Sequence, residues 1–435
     1  MKRTIGIRRE DKNEWERRAP LTPQDVAWLR ETHGIETVVQ PSDLRIFPDS
    51  AYREAGAVLN EDLSAARVVL AIKEIPGSLL EAGKVYLFFS HTIKGQPHNM
   101  GMLGRLVERR TSLIDYERIV DDAHRRLLFF GRYAGLAGMI ETLHAVGRKM
   151  DLQGYDTPLS RVQQPFRYPS LEAAREEITR IGDEIADRGL PTDILPLVVG
   201  FAGYGNVSRG AQEIFDLLPH KVISPLTLEE MAENFSGDAF NFYKVVFQEE
   251  DMVRPLKGGF DLQEYYRHPE RYAGDFEKYL RYLRVLVNCI YWTEAYPRLV
   301  TKEYLKNATV LRSHLNLQVI GDISCDIDGS IEITRKATMP DNPCFTYFAD
   351  RDAFEDGVQR LGVSVMAVDN LPCEFPAESS SDFSAVLRRF VADTVDCDYG
   401  ASLESLALAP ELKRALILKQ GVFTPDYAYM KEFLT

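Results

Sequence analysis

The sequence lacks the features that mark secreted, membrane-spanning and zinc-binding proteins. It has five cysteines in 435 residues, and no Cys-X-X-Cys pair occurs among them. A disulfide framework and a metal site are therefore not expected. The N-terminus has no apolar signal-peptide region, and no apolar run reaches the length of about 20 residues that crosses a bilayer. These absences predict a cytoplasmic protein with no membrane partner.

The chain also has fewer basic residues than acidic ones. The chain has 52 Lys and Arg residues against 65 Asp and Glu residues, for a formal net charge of -13. This balance disfavours non-specific binding to nucleic acid. The hydrophobic fraction of 45% is enough for sizeable cores, and the length favours two domains. We therefore expect a two-domain globular protein with no nucleic-acid partner, and a homodimer is the default assembly.

Strand-like and helix-like segments alternate through the first 150 residues. A helix is predicted to begin at Thr22-Pro23. Alternation of this kind is typical of a mostly parallel sheet covered on both faces. The predicted strands are residues 3–8, 36–40, 68–73, 85–90, 113–116 and 127–130.

The rest of the chain divides into a spacer, a second α/β region and a tail. Helices are predicted at 132–152 and 171–189, a second strand–helix unit from Leu195, and a helical tail over 381–434. The predicted domains are 1–150 plus 373–435 for substrate and catalysis, 151–192 as a helical linker, and 193–372 for a dinucleotide. The predicted fold class is α/β, with two Rossmann-like, doubly wound domains and an active-site cleft between them.

The sharpest local motif is a glycine turn between an apolar strand and a helix. Gly203 permits a tight turn, Gly205 lets backbone amides approach a pyrophosphate, and the helix N-terminus carries a positive dipole end. The alternative is a glycine-rich turn without a ligand. The predicted dinucleotide-binding residues of the turn are Gly203, Tyr204, Gly205, Asn206, Val207 and Ser208.

The choice between NAD and NADP stays open at this stage. The segment 221–225, predicted as the second strand of the unit, ends without the acidic residue that usually holds the ribose 2′-hydroxyl. This favours NADP weakly, although only Arg209 is near enough to replace that acid. The acidic run 248–251 after the next strand favours NAD instead. NADP is the predicted cofactor, with NAD as the alternative.

Charged residues follow several strands of the first domain. Ligands bind at the carboxyl ends of parallel strands, so these residues are candidates for one crevice. Taken singly, each is better explained as a solvated loop charge or a surface ion pair, whereas charges at four strand ends together leave both interpretations open. The residues are Arg18, Lys73, Glu74, His91, Lys94 and Glu117.

Several distinctive segments are similar to a known family, in order along nearly the whole chain. One of them is Ser90-His-Thr-Ile-Lys-Gly-Gln96. The chain resembles the lysine–2-oxoglutarate reductase half of aminoadipic semialdehyde synthase, and more distantly the lysine-forming saccharopine dehydrogenases and alanine dehydrogenases. The segments are 8–11, 15–23, 90–96, 113–117, 130–139, 205–215, 290–300, 321–324 and 368–372.

The resemblance implies a reaction and a set of roles. Lysine and 2-oxoglutarate condense to an imine, which NADPH reduces to saccharopine. Lys73 and His91 match the acid–base residues, and Arg18 matches an arginine that holds a substrate carboxylate. The other matching positions are Glu74, Lys94, Glu117 and Arg126 for substrate and Asp322 near the nicotinamide.

The residue types suit this chemistry, because saccharopine carries three carboxylates and two amines. Two departures from the family are evident: the chain stops at Thr435, with no fused saccharopine dehydrogenase half expected, and the segment after Phe247 is acidic. The alternatives are a lysine-forming saccharopine dehydrogenase, another opine or amino-acid dehydrogenase, and a non-catalytic nucleotide-binding paralogue.

Overall fold

The chain folds into two units, in a computed structural model that describes residues 3–310 and 316–434. Unit 1 comprises Met1–Phe130 and Pro376–Thr435, and unit 2 comprises Gly131–Phe375. Both ends of the chain therefore contribute to unit 1.

The two units contain the following strands and helices. The strands are β1 Thr4–Ile7, β2 Glu36–Val39, β3 Val58–Leu59, β4 Val68–Leu70, β5 Val85–Phe88, β6 Ser112–Asp115, β7 Val198–Ala202, β8 His220–Val222, β9 Phe242–Phe247, β10 Val253–Pro255, β11 Tyr272–Gly274, β12 Val285–Asn288, β13 Val319–Asp322, β14 Cys344–Phe348, β15 Ala353–Asp356, β16 Val363–Met366, β17 Leu416–Lys419 and β18 Val422–Phe423. The helices are α1 Pro23–His33, α2 Asp49–Glu54, α3 Pro97–Glu108, α4 Gly131–Gln153, α5 Leu171–Arg188, α6 Asn206–Phe215, α7 Leu228–Glu233, α8 Glu249–Met252, α9 Leu262–Arg267, α10 Glu277–Leu280, α11 Lys302–Val310, α12 Pro376–Asp396 and α13 Pro410–Ala415.

Local sequence explains where two of the longer helices begin and end. The Thr22 hydroxyl accepts a hydrogen bond from the amide of Asp25 and caps α1, which confirms the predicted start at Thr22-Pro23. The Ser170 hydroxyl caps α5 in the same way. Gly34 ends α1 with a φ of 62°, a left-handed conformation that glycine adopts without a steric cost.

The sheet of unit 1 is mainly parallel and has the order β18-β17-β6-β5-β4-β1-β2-β3. Every residue of β1, β4, β5 and β6 is buried, as expected for strands covered on both faces. The predicted strands 68–73 and 85–90 end early, at Leu70 and Phe88. Their last predicted residues leave the sheet as loops at its carboxyl edge, where the candidate catalytic residues lie.

The predicted strand at 127–130 is wrong. The chain turns after β6, and the amide of Leu127 donates to the carbonyl of Ile119, while a single bridge joins Val120 and Arg126. The apolar run packs against α12 instead of joining the sheet. The ring of Phe130 stacks on that of Phe383 with 4.8 Å between their centroids.

The helical tail predicted for residues 381–434 is only partly helical: α12 ends at Asp396, and after it only α13 and a 3-10 helix at Pro425–Leu434 are helical. Residues 416–423 form the antiparallel hairpin β17–β18, and β17 pairs with β6 at the edge of the unit 1 sheet. Gln420 and Gly421 have φ values of 50° and 79°, which a tight two-residue hairpin turn requires. The buried apolar run of β17 finds a sheet partner, so its strand conformation prevails over a helical one.

The sheet of unit 2 has the order β15-β14-β16-β13-β12-β7-β9-β8, and β14 is antiparallel to both of its neighbours, β15 and β16. β7 is central, between β12 and β9. The predicted second strand, 221–225, corresponds to β8, which lies at the sheet edge and not beside β7. The α/β class with two Rossmann-like domains is confirmed, and the cleft expected between them stays a prediction.

The predicted domain boundaries differ from the observed units because of how α4 packs. A Cβ added at Gly135 would overlap the Val207 carbonyl, and one at Gly210 would overlap the Arg132 carbonyl. α4 and α6 thus touch backbone to backbone, so residues 131–150 belong to unit 2 and not to the first domain. α5 packs against the end of α6 in the same unit, through Gly182, so 151–192 is not a separate linker.

We expect Gly210→Ala to destabilise the protein by about 2 kcal/mol or more, because the added methyl overlaps backbone that cannot rotate away. Gly101→Ala is the matched control, since Gly101 lies in helix α3 with nothing within 4 Å of its added Cβ. That substitution should be neutral or stabilise by up to about 1 kcal/mol. Urea unfolding of the full chain measures both, and equal effects would contradict the close α4–α6 contact.

Candidate functional site

Glu10, which the sequence analysis did not single out, holds the backbone at the end of β4. Its carboxylate accepts hydrogen bonds from the amides of Ile72 (2.6 Å) and Lys73 (3.0 Å). Burial, reinforced by the nearby Glu16 carboxylate, raises the pKa of Glu10 to about 7. Glu10 lies in the segment 8–11 that carries the family resemblance, but nothing in the spacing showed that it reaches β4.

Lys73 lies half-buried where β4 leaves the sheet. Burial lowers the pKa of Lys73, and the charge of Arg18 lowers it further, while Glu16 and Glu74 act in the opposite direction. The lowered pKa increases the neutral fraction of the amine near pH 7. Lys73 therefore has the environment that a proton-accepting lysine needs.

Arg18 is already paired with a carboxylate of the chain itself. Its Nε and Nη2 atoms donate to the two carboxylate oxygens of Glu16 at 2.7 and 2.5 Å, and both side chains are at most 2% exposed. The guanidinium also lies 4.2 Å from the ring centroid of Phe130. A substrate carboxylate bound by Arg18 would share it with Glu16, which the sequence analysis did not foresee.

His91 and Glu74 form a hydrogen-bonded pair across the ends of β4 and β5. His91 Nδ1 lies 2.5 Å from Glu74 Oε1, and Lys12 Nζ lies 3.5 Å from the other carboxylate oxygen. Burial acts to raise the pKa of Glu74, but the hydrogen bond and charge of His91 outweigh it and hold the pKa at about 2. The carboxylate therefore stays ionised, and it orients the imidazole through Nδ1.

The loop that carries His91 is held by the end of β6. Asp115 accepts hydrogen bonds from the Ser90 hydroxyl, the Ser90 amide (3.2 Å) and the Glu117 amide (2.8 Å). Burial raises the pKa of Asp115 to about 6. His91 itself has a φ of 46°, an unusual value for a non-glycine residue, and its carbonyl accepts a hydrogen bond from Asn99.

The remaining predicted substrate residues are Glu117, Arg126 and Lys94. Glu117 and Arg126 form an ion pair with a nitrogen–oxygen distance of 3.3 Å. Lys94 is exposed on the loop after β5. A cavity of about 400 Å³ reaches Glu74 and is also lined by Asp11, Lys12, Ile75, Pro76, Gly77, His98, Asn99 and Met102.

In unit 2, the glycine turn borders a cavity of about 290 Å³. Gly203 has a φ of 91°, which favours glycine, and its amide donates to the carbonyl of Phe247 at 3.0 Å. No atom lies within 4 Å of a Cβ added at Gly205, and no side chain caps the first amides of α6. The turn therefore fits the pyrophosphate of a dinucleotide.

The other predicted nucleotide residues divide into two groups. Tyr204 and Asn206 are exposed and Val207 is half-buried, whereas Ser208 is fully buried and accepts a hydrogen bond from Gln212 at 2.9 Å. Ser208 thus serves the packing of α6 on the sheet.

Asp322 lies buried at the end of β13. It accepts hydrogen bonds from the side chains of Asn288 (2.8 Å) and Thr334 (2.5 Å) and from the Cys325 amide (3.2 Å). Burial raises its pKa to about 6. These bonds show that Asp322 orders the strand ends, and its predicted place near the nicotinamide stays a prediction.

The cavity also contains a carboxylate to which the sequence analysis assigned no individual role. Glu249 follows β9, the strand beside β7, and accepts a hydrogen bond from the Tyr266 hydroxyl at 2.6 Å. Both residues line the cavity with the glycine turn. The signal was the acidic run 248–251, but its place beside the turn depends on the strand order.

Within residues 3–310 and 316–434, no group of three or more His, Cys, Asp and Glu side chains is arranged to hold a metal ion. None of the helices in the same part of the chain combines the length and the apolarity needed to cross a bilayer.

The sequence of the chain is similar to those of several known proteins. Residues 6–137 match the family model described as alanine dehydrogenase/PNT, N-terminal domain. The chain is 40% identical to alpha-aminoadipic semialdehyde synthase of Arabidopsis thaliana over 98% of its own length and 41% of the relative's. The chain is similar to this alpha-aminoadipic semialdehyde synthase over nearly its whole length.

The similarity extends to animals and confirms the resemblance stated from the sequence. The chain is 36% identical to the mitochondrial alpha-aminoadipic semialdehyde synthase of Bos taurus, over 99% of this chain and 48% of that protein. The chain spans about half the length, or less, of these two curated relatives. Among solved structures, L-alanine dehydrogenase matches 99% of this chain and 100% of its own, with a TM-score of 0.62 and 16% identity, which supports the fold alone.

Replacing Glu10 should change how stability depends on pH. The folded chain holds the Glu10 proton more tightly than the unfolded chain, because burial raises its pKa from 4.5 to about 7. The free energy of unfolding therefore falls as the pH rises through this interval, by up to about 3 kcal/mol from this group. Glu10→Gln should flatten that fall in urea unfolding measured from pH 4.5 to 7.5.

The control is Glu14→Gln, which removes a carboxylate from an exposed position in the same loop. It should leave the slope unchanged. A slope that is equally steep in Glu10→Gln and in the unmodified chain would show that Glu10 titrates normally.

Proposed function

We propose that the chain condenses lysine with 2-oxoglutarate and reduces the resulting imine to saccharopine, as a nicotinamide-nucleotide-dependent oxidoreductase. The observation that carries this proposal is the Lys73, Glu74 and His91 cluster at the ends of β4 and β5. It supports acid–base chemistry because the pKa of Lys73 is lowered and Glu74 orients the imidazole of His91. The relationship to alpha-aminoadipic semialdehyde synthases supports the choice of substrates.

The reaction moves protons at two stages, and each stage has a suitable residue. The side-chain amine of lysine loses a proton and attacks the keto carbon, and the resulting carbinolamine loses water. Lys73 accepts the amine proton, and His91 donates through Nε2 to the departing hydroxyl, because Nδ1 is bonded to Glu74. Loss of water leaves the imine protonated at nitrogen, and a nicotinamide nucleotide, when bound, would supply the hydride for its carbon, which yields the neutral secondary amine.

The charged residues around this cluster bind the substrates. Arg18 holds one carboxylate beside Glu16, as the resemblance implies, and Lys94 and Arg126 supply further positive charge. Glu117 pairs with the ammonium group of lysine. Opposite charges placed close together suit a product with three carboxylates and two amines.

The cofactor binds at the glycine turn of unit 2, through Gly203, Tyr204, Gly205, Asn206 and Val207, with Ser208 and Asp322 supporting the turn and strand ends. NADP, which the sequence favoured weakly, and NAD share the pyrophosphate that the turn fits. The weak preference for NADP depends on the end of β8, which does not lie beside β7. A homodimer and a cytoplasmic location, the defaults for this composition, complete the proposal, and sedimentation equilibrium tests the first.

The first test is an assay of NADH and NADPH oxidation with lysine plus 2-oxoglutarate. We expect oxidation that requires both substrates. Replacing lysine by ornithine or alanine, or 2-oxoglutarate by pyruvate, should abolish most of the rate. A preference for one of these other pairs would favour a different opine or amino-acid dehydrogenase, and no lysine-dependent oxidation with either cofactor would overturn the proposal.

The second test replaces the acid–base residues singly. Lys73→Met and His91→Asn should each lower kcat by about 100-fold or more, because each removes a proton-transfer group. Binding of reduced cofactor should persist, since the glycine turn is untouched. Lys431→Met removes the same charge from an exposed position and should leave kcat unchanged. Unaltered turnover in both site variants would refute the assignment of Lys73 and His91.

A further inference from the structure

The strand order of unit 2 determines which residues lie beside the glycine turn. Ala202, the last residue of β7, is in register with Phe247, the last residue of β9. The amide of Gly203 continues this pairing by donating to the Phe247 carbonyl at 3.0 Å. The chain therefore leaves β9 about 4.8 Å from the turn, one strand spacing away, and Glu249 follows two residues later.

Glu249 is held in a defined position at this edge of the sheet. Its carboxylate accepts a hydrogen bond from the Tyr266 hydroxyl at 2.6 Å. Both side chains line the cavity that includes Gly203 and Gly205. Burial, with the hydrogen bond to Glu249, raises the pKa of Tyr266, so its hydroxyl remains a donor at neutral pH.

We infer that Glu249 accepts hydrogen bonds from the adenosine ribose hydroxyls of the dinucleotide and makes the protein select NADH over NADPH. In a dinucleotide-binding fold the pyrophosphate lies at the glycine turn, and the ribose lies over the end of the neighbouring strand. A carboxylate there pairs with a 2′-hydroxyl, whereas it repels a 2′-phosphate. The inference rests on the proposed nucleotide binding, and it reverses the weak preference for NADP drawn from the sequence.

The lining of the cavity supports the same selection. The described residues that border it include no lysine or arginine, and Glu249 is the charged side chain among them. A 2′-phosphate would add nearly two negative charges beside this carboxylate with no cation in the lining to offset them. Arg209, the basic residue considered from the sequence, is exposed on α6 and does not border the cavity.

The test measures binding of NADH and NADPH to the full chain, through the fluorescence of the reduced nicotinamide, without substrates. We expect the Kd for NADH to be at least about 100-fold lower than that for NADPH. Glu249→Gln should raise the Kd for NADH by about 10- to 100-fold, the loss that follows from removing a charged hydrogen-bond acceptor. The same variant should bind NADPH more tightly than the unmodified chain does.

Two further variants separate recognition from general charge and folding effects. Glu250→Gln removes the same charge from the exposed neighbouring position and should leave the ratio of the two Kd values unchanged. Tyr266→Phe keeps the ring but removes the hydroxyl that holds Glu249, so it should weaken NADH binding by less than Glu249→Gln does. Circular dichroism checks that each variant is folded. If Glu249→Gln does not fold, the weaker NADH binding expected of Tyr266→Phe provides the test.

The outcomes distinguish this inference from the proposed reaction. Tighter binding of NADPH by the unmodified chain, or an unchanged ratio in a folded Glu249→Gln protein, overturns the role of Glu249. Binding of neither nucleotide overturns nucleotide binding at the turn and the proposed function with it. Selective NADH binding without lysine-dependent oxidation supports Glu249 while it refutes the proposed substrates.

Discussion

A contact between two helix backbones underlies the proposed nucleotide site of unit 2. Gly135 of α4 faces the Val207 carbonyl of α6, and Gly210 of α6 faces the Arg132 carbonyl of α4. With no side chains between them, the two helices approach more closely than larger residues would allow. The side chain of Arg132 reaches across to Glu213 with hydrogen bonds of 2.8 and 2.7 Å, which adds an ion pair to the same contact. The first turn of α6 is thereby set against the sheet, and with it the direction in which its N-terminal amides point.

In unit 1 the positions of the candidate catalytic and substrate-binding groups are fixed by electrostatic interactions, because a carboxylate holds each of them. Glu16 holds the guanidinium of Arg18, Glu74 holds the imidazole of His91, and Glu10 holds the backbone at Lys73. In the buried pair of Arg18 and Glu16, removing one member leaves an uncompensated charge, which costs more than the pair contributes when intact. These pairings give the site a fixed geometry before any substrate is bound, which is the condition for efficient proton transfer.

The two neighbouring strands β8 and β9 show how a small topological difference changes a functional conclusion. The sequence predicts that the strand after α6 is the second strand of the nucleotide unit, and the end of that strand has no acidic residue. In the folded chain β9 lies beside β7, and β8 lies outside it at the sheet edge. The carboxylate that lines the cavity beside the glycine turn is therefore Glu249. Chain order and spatial order of strands differ here because parallel strands are joined by crossovers, and the next strand along the chain need not be the next one in the sheet.

Periodicity and glycine spacing alone predicted the α/β class, the start of α1, the glycine turn and the strand ends that carry Lys73 and His91. These features depend on local rules: buried parallel strands are apolar throughout, and a phosphate turn needs small residues. Other features depend on partners far along the chain: the hairpin β17–β18, the loop at 127–130 and the assignment of α4 to unit 2. The hydrogen bonds that join Glu10 to the end of β4 and Tyr266 to Glu249 depend on such partners too. Only the tertiary structure decided these features. Burial and hydrogen bonding depend on which groups are close in space, and the linear sequence pattern does not show that distance.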